Sequence, residues 1–323
     1  MHWLSCMQEK ERERKGKNGK IVKIAGCSPI REGVLLVSVC EKLYKFYYGE
    51  GAYDSSKKYL FGSYKTKTNV RPFTEEQDID VLFKIPEDTF KKYDGYKSNG
   101  QCALLQEIKD VLKEKYTTTD KIKAWGKVVL VQFAENHHNV ELLPALEKED
   151  GTFLIPNSEN GGSWDYFDPR MEIDKFNESN KATSGLTRDL AKMLKAWAHN
   201  TPSMSYKSCE RMDDIIAFLD ANYASGANNI GYDKIVFDFF DYMRSRCNDC
   251  IKSYIDKAFN RAQKALEYND NDKPMEASEE WIKIFGEEFP KTKENSKREN
   301  QGVYIQQNPS RPWFGSTKKN RIG

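Results

Sequence analysis

The sequence predicts an α+β protein, with a half that mixes strands and helices placed ahead of a helical half. Three observations carry this. Residues 78–85, DIDVLFKI, form an apolar run of strand length stopped by Pro86. Residues 122–133 and 139–143 repeat that character, the second run ending at Pro144. From Gly185 onward, apolar residues recur at helical spacing over residues 185–198, 204–219, 232–246 and 249–266, with a shorter segment at 277–285.

Taken in order, residues 1–30 lack periodicity, and their run QEKERERKGKNGK reads as disorder ahead of the folded chain. From Arg31 to Gly49, Val34, Leu35, Val37, Leu43, Phe46 and Tyr47 recur at helix-like spacing. Residues 57–62 read as a short strand that enters a Gly62-Ser63 loop. SNGQCALLQEIKDVLKEKY is an amphipathic helix with Ser98 or Asn99 as its cap. The stretch EKEDGTFLIPNSENGGSWDYFDPR reads as a loop-rich connection. The expected division is an N-terminal extension 1–30, a core 31–180, a helical domain 181–290 and a flexible tail 291–323, with a cleft between the two folded parts.

The totals exclude several classes. The 323 residues suffice for one large or two ordinary domains. Lys+Arg 51 against Asp+Glu 49 leaves +2, too balanced to announce DNA or a membrane as partner. The tail after Pro290 holds eight basic residues against Glu294 and Glu299, a local +6. No apolar run approaches a membrane span, and the charged N-terminus lacks a signal-peptide core. Seven irregularly spaced cysteines fit reduced thiols and a cytoplasmic location.

The chemistry concentrates around Asp78 and Asp80. On a strand, residues i and i+2 share a face, so these carboxylates project together, ~7 Å apart, while Ile79 and Val81 turn to the core. Such a pair repels unless a cation lies between. Gly62 permits close approach of backbone N–H groups to phosphate oxygens, and Ser63 adds a hydroxyl donor. Glu141, inside an apolar strand, is the best placed third carboxylate. This ordered set points to a Mg²⁺-dependent site for nucleoside triphosphates: two ions, with Mn²⁺ as the alternative, held by Asp78, Asp80 and Glu141.

The segments FGSYKTKTNVRP, DIDVLFKIP and VELLPALEKEDGTFLIPNSENGGSWDYFDP resemble, in order, the bacterial cGAS/DncV-like nucleotidyltransferases (CD-NTases). These belong to the polymerase-β-like superfamily that includes the oligoadenylate synthetases. The resemblance runs from about Leu60 to Phe289; KMLKAWA resembles the family's central Lys-x-Trp helix, and EEWIKIFGEEFP its usual ending. It implies a polymerase-β-like core with a helical C-terminal domain like that of oligoadenylate synthetase. It also implies synthesis of cyclic di- or trinucleotide second messengers from NTPs, ATP among them, in anti-phage CBASS operons, with a nucleotide-activated effector downstream.

By the same resemblance Gly62 and Ser63 grip the triphosphate, and Asp78, Asp80 and Glu141 hold the metals. Two departures stand out: Glu141 occupies a place that is Asp in many relatives, and 14 residues separate Ser63 from Asp78. The segment MSYKSCE resembles the family's Lys-Ser-(Tyr/Phe) element in either of two registers. Lys207-Ser208 fits best but puts Cys209 at the aromatic position; Ser205-Tyr206 restores the aromatic and loses the lysine. Ser208 is expected at phosphate and Tyr206 as a stacking face. Lys195, and less clearly Lys192, would neutralise triphosphate charge. The resemblance further allows an E1/E2-like partner to conjugate the chain through Gly323.

The remaining motifs have plain structural readings. Cys247 and Cys250 have metal-ligand spacing without a second pair, His137 and His138 read as strand-edge residues, and Trp164, Trp197 and Trp281 as core. Two other functions stay open: a nucleotidyltransferase acting on RNA or protein, and a catalytically silent nucleotide-binding regulator, the latter prompted only by Glu141.

Overall fold

The computed structural model describes residues 13–15, 21–23, 29–70, 78–117, 121–133, 139–224 and 230–292. His137, His138, the basic tail beyond Thr292 and Gly323 lie outside the described residues.

Near the N-terminus, β1 (Glu13–Lys15) pairs antiparallel with β2 (Ile21–Lys23), with Glu13 in register with Lys23. This departs from the disorder expected there; Ile21 and Val22 are strand-favouring β-branched residues in an otherwise charged run. Helix α1 (Pro29–Tyr48) follows as expected. Then come β3 (Lys58–Leu60), a five-residue helix α2 (Gly62–Thr66) in place of the expected loop, and β4 (Asp78–Lys84). Helix α3 (Glu87–Asp94) has no counterpart among the elements read from the sequence. Helix α4 (Gly100–Lys115) does, and the Asn99 side chain caps it by accepting from Cys102 N–H at 2.9 Å.

Residues 122–133 form not one strand but a hairpin, β5 (Ile122–Trp125) and β6 (Val128–Val131), because Gly126 takes φ +55 at the turn. Strand β7 (Asn139–Glu147) runs through Pro144 instead of stopping there. It changes neighbours at that point, pairing with β6 over Val140 to Leu142 and with β8 (Phe153–Asn157) from Leu146. A residue without an N–H is tolerated in that gap. The connection expected to be loop-rich is instead the hairpin of β8 with β9 (Ser163–Phe167), followed by α5 (Pro169–Ala182). Asp168 caps α5 and Pro169 occupies its first turn, a legible start signal.

Strands β3 to β9 form one sheet in the order β3-β4-β7-β6-β5, with β8 and β9 continuing from the far end of β7, apart from the β1-β2 pair. Among the described residues only β4 and β7 are parallel to each other; the remaining pairs are antiparallel. One face carries Ile79, Val81, Phe83, Val140 and Leu142. Against it lies an apolar layer from α1 and α4, made of Val39, Leu43, Leu104, Leu105 and Ile108, all buried. The opposite face holds Asp78, Asp80 and Glu141 at one end and a smaller apolar cluster, Leu82, Leu143, Ala145, Phe153 and Ile155, at the other.

The helical half comprises α6 (Leu186–His199), α7 (Ser208–Asn222), α8 (Tyr232–Arg244), α9 (Asp249–Asp270) and α10 (Pro274–Phe285). Helix α7 begins four residues later than its apolar pattern, since residues 201–207 turn after Pro202 before Lys207 opens the helix. The core of this half gathers Leu190, Leu194, Trp197, Phe218, Phe239, Phe240, Ile255 and Trp281. Trp164 is only half-buried, packed on Phe90 at 4.6 Å between ring centroids.

Candidate active site

Strand alternation puts Asp78 and Asp80 on the face opposite Ile79 and Val81, which are 1 % and 0 % exposed. The parallel register then sets Glu141 of β7 directly beside Asp80 of β4. The three carboxyls are close enough to perturb one another. Burial, followed by the charges of Glu141 and Asp78, pushes Asp80 up to about 7, and Asp80 donates a hydrogen bond to Glu141. Burial and the Asp78 charge likewise raise Glu141.

Gly62 lies directly against the Asp80 carboxyl. It takes φ +63, and a Cβ there would fall 1.9 Å from Asp80 Oδ2, so only glycine lets the α2 backbone lie against that carboxyl. Phe61 N–H donates to Asp80 O at 3.2 Å, which locks the entrance of α2 to β4. Ser63 points its hydroxyl to Asn69 Oδ1 at 2.6 Å, and its carbonyl accepts from Thr68 N–H at 3.0 Å.

From the helical half, α6 brings Lys195 towards the carboxyls. Burial lowers its basicity, while Asp80 and Asp78 act in the opposite sense and Arg211 reinforces the burial. Lys192, one turn earlier, faces Asp189 and Arg188 instead. Ser208 is the exposed first residue of α7. Tyr206 is not a free stacking face: it is 8 % exposed, packs edge-on to Trp197 at 6.4 Å, and donates its hydroxyl to Asp214. Its ring belongs to the helical core because the turn ahead of α7 folds inward there, which residue spacing alone does not reveal. The structure thus brings together Gly62, Asp78, Asp80, Glu141 and Lys195, and commits Tyr206 elsewhere.

Two residues escape the sequence reading. Arg188, in the first turn of α6, donates Nε–H to Thr66 O at 3.3 Å and so ties the helical half to the end of α2. Arg211, in α7, is buried beside Tyr206. Arg211 follows Ser208 by three, a same-face spacing that could have flagged it; nothing local marks Arg188.

Cys247 and Cys250 are free thiols, half-buried and exposed. Among the described residues no group of three or more His, Cys, Asp or Glu side chains is spaced as a ready metal cluster. The donors at Asp78, Asp80 and Glu141 are nonetheless of the kind that suits Mg²⁺: hard carboxylate oxygens on one face, crowded enough that one retains a proton to about pH 7. A cation could take that proton's place, so the residues present fit the metal.

Residues 45–180 match the Second Messenger Oligonucleotide or Dinucleotide Synthetase (SMODS) domain. A probable cyclic nucleotide synthase of Bacillus cereus (strain VD146) is 23% identical over 279 residues, covering 71% of this chain and 81% of that one. The fold is shared with E. coli MS115-1 CdnC solved with ATP (TM-score 0.57, 17% identity, 82% of this chain and 95% of that one). It is shared also with Vibrio cholerae DncV cyclic AMP-GMP synthase holding a linear intermediate (TM-score 0.58, 14% identity, 81% of each chain). Residues 45–180 thus match a SMODS domain, and the chain shares the fold of CdnC and DncV.

Proposed function

We propose that the protein joins nucleoside triphosphates into a cyclic di- or trinucleotide second messenger, releasing pyrophosphate at each bond, and that it serves anti-phage CBASS signalling. The observation that supports this most is the register of Asp80 with Glu141, which gathers three carboxyls under the Gly62 backbone and opposite Lys195. That arrangement suits a triphosphate whose α-phosphorus is attacked by a ribose hydroxyl of a second nucleotide.

Asp78, Asp80 and Glu141 would hold Mg²⁺ (or Mn²⁺), which supplies charge neutralisation at the phosphoryl oxygens and acidifies the attacking hydroxyl. The chain's own residues do the positioning. Gly62 presents backbone at the Asp80 carboxyl, Ser63 offers its hydroxyl once released from Asn69, and Lys195 counters phosphate charge from the opposite wall. Ser208, at the start of α7, offers a further donor to phosphate. With the leaving group and nucleophile held in line, most of the acceleration comes from orientation and preset electrostatics. A linear intermediate then re-enters the cleft for ring closure, and the product passes to a nucleotide-activated effector. CdnC was solved with ATP and DncV with a linear intermediate, which favours ATP among the substrates here.

Incubation with all four NTPs and Mg²⁺, followed by mass spectrometry of the phosphatase-treated products, tests this. A cyclic product lacks a terminal phosphate and survives the phosphatase. A ladder of added nucleotides on RNA, or a mass increment on protein, would replace this reading with macromolecular transfer.

A further inference from the structure

We propose that an apolar cavity bordered by α8 and α10 is the seat of the chain's own tail, taking up Trp313 and Phe314 with Arg311 against Asp233.

The cavity encloses about 420 Å³ in the helical half. It is lined by Met193 of α6, Tyr232 and Val236 of α8, and by Trp281, Phe285 and Phe289. The last three rings form a ladder. Trp281 stacks on Phe285 at 5.9 Å and Phe285 on Phe289 at 5.7 Å between centroids, each pair 19° from parallel. Tyr232 already donates its hydroxyl to Asp189 at 2.6 Å, so what it has left to offer an occupant is its ring. A cavity walled in this way favours a flat apolar side chain over water.

The charges at the cavity say what should accompany that side chain. Lys291, the cation in the lining, is already paired with Glu279 at 2.9 Å. Asp233, half-buried in the lining, forms no ion pair among the described residues. Glu276 and Glu288, each next in the chain to a lining residue, form none among them either. The occupant this suits is an aromatic segment flanked by a cation.

The chain itself carries such a segment. Thr292 N–H donates to Ser278 Oγ at 3.2 Å, and Pro290, Lys291 and Thr292 are part of the cavity wall, so the tail sets out from the cavity itself. The 31 residues beyond Thr292 hold seven basic side chains against two acidic ones. Their one adjacent aromatic pair is Trp313-Phe314, preceded by Arg311-Pro312. In extended chain Arg311 stands ~7 Å from Trp313, within reach of Asp233 when the ring is seated. Twenty residues separate Thr292 from Trp313. Their contour of up to about 70 Å is ample for a return to the starting point. A tethered segment meets its site at an effective concentration of about millimolar, above that of a second copy in dilute solution.

The test uses the full chain and a fluorescein-labelled peptide, NPSRPWFGS (residues 308–316), with affinity read by fluorescence anisotropy. The double variant Trp313→Ala, Phe314→Ala leaves the cavity open and is expected to bind the peptide. Wild type, its cavity filled in cis, is expected to bind at least about tenfold more weakly. Adding Asp233→Asn to the double variant is expected to weaken the peptide about threefold to tenfold, and less at high salt. Hydrogen exchange read by mass spectrometry is expected to be faster over residues 274–292 in the double variant than in wild type, although both melt alike. Failure of the double variant to bind the peptide overturns the proposal, and so does equal binding by wild type and double variant. Binding indifferent to Asp233→Asn removes the Arg311 contact and overturns it too. A wild type that sediments as a dimer, with the double variant a monomer, assigns the occupant to a second copy and overturns the seating in cis. Each readout is independent of nucleotidyl transfer, so the tail seat stands or falls apart from that reading.

Discussion

Gly62 shows how far a single residue can be constrained by what it faces. Its positive φ alone would make alanine there cost about 1 kcal/mol, but the 1.9 Å approach to Asp80 Oδ2 adds a collision with a proposed ligand. Gly62→Ala is expected to lower pyrophosphate release by at least about a hundredfold while the melting temperature falls by only a few degrees. Parallel turnover and melting assays check this; near-wild-type turnover would show that Asp80 need not stay where Gly62 lets it lie. Glu141 carries a second expectation. Glu141→Gln, which keeps shape and removes charge, should lose activity with little change in fold, whereas Glu141→Asp should retain part of it, measured by the same two assays. At this scale the Asp78–Asp80 face is legible in the sequence, because strand alternation fixes it from spacing alone. The neighbour relation of Asp80 and Glu141 is legible only as a class of residue in a class of element, since register is a tertiary fact. The direction of the Tyr206 ring is not legible, and it goes to the core.

Among the elements, α9 and α10 are held by a charged clasp. Arg261 of α9 and Lys283 of α10 bond the two oxygens of Glu280 at 2.8 and 2.6 Å. Burial alone would raise the Glu280 carboxyl, but the bonds from Lys283 and Arg261 outweigh it and hold the group below its usual range. A carboxylate lowered in the folded state gives stability that is present above its unfolded pKa, about 4.3, and lost as pH falls through the folded value. Glu280→Gln is therefore expected to cost about 1 kcal/mol at pH 7, with the gap to wild type closing below about pH 4. Thermal melts of both proteins from pH 7 to pH 3 would reveal it; a constant gap would assign the cost to packing instead. Helix α9 itself is easy to read, since Ile251, Ile255, Ala258, Ala262 and Ala265 repeat every three or four residues and all are buried. The β8–β9 hairpin is not, because Pro156 and the Gly161-Gly162 pair look like loop composition, although Pro156 lies inside an ordinary antiparallel ladder and the glycines border it.

For the whole molecule, the decisive feature is that the candidate site draws residues from both halves. The sheet supplies the carboxyls, α2 the backbone beside them, and α6 the lysine that answers them. The Arg188–Thr66 bond spans 122 residues of sequence to keep the two sides in step. Arg188→Ala is expected to raise KM for NTP about tenfold, with a smaller change in kcat, in steady-state pyrophosphate assays; an unchanged KM would leave that bond without a role in substrate positioning. The ordering of a mixed half before a helical half is visible in the change of hydrophobic period near Gly185. The contacts between halves are not, because they depend on pairs far apart in sequence with no local signature. Whether the carboxyls of β4 carry the chemistry is decided most directly by the Asp78→Ala, Asp80→Ala double variant, incubated with all four NTPs and Mg²⁺. Wild type should release pyrophosphate and form a phosphatase-resistant product, and the double variant, folded as wild type by circular dichroism, should form none; undiminished turnover in that variant would contradict the assignment.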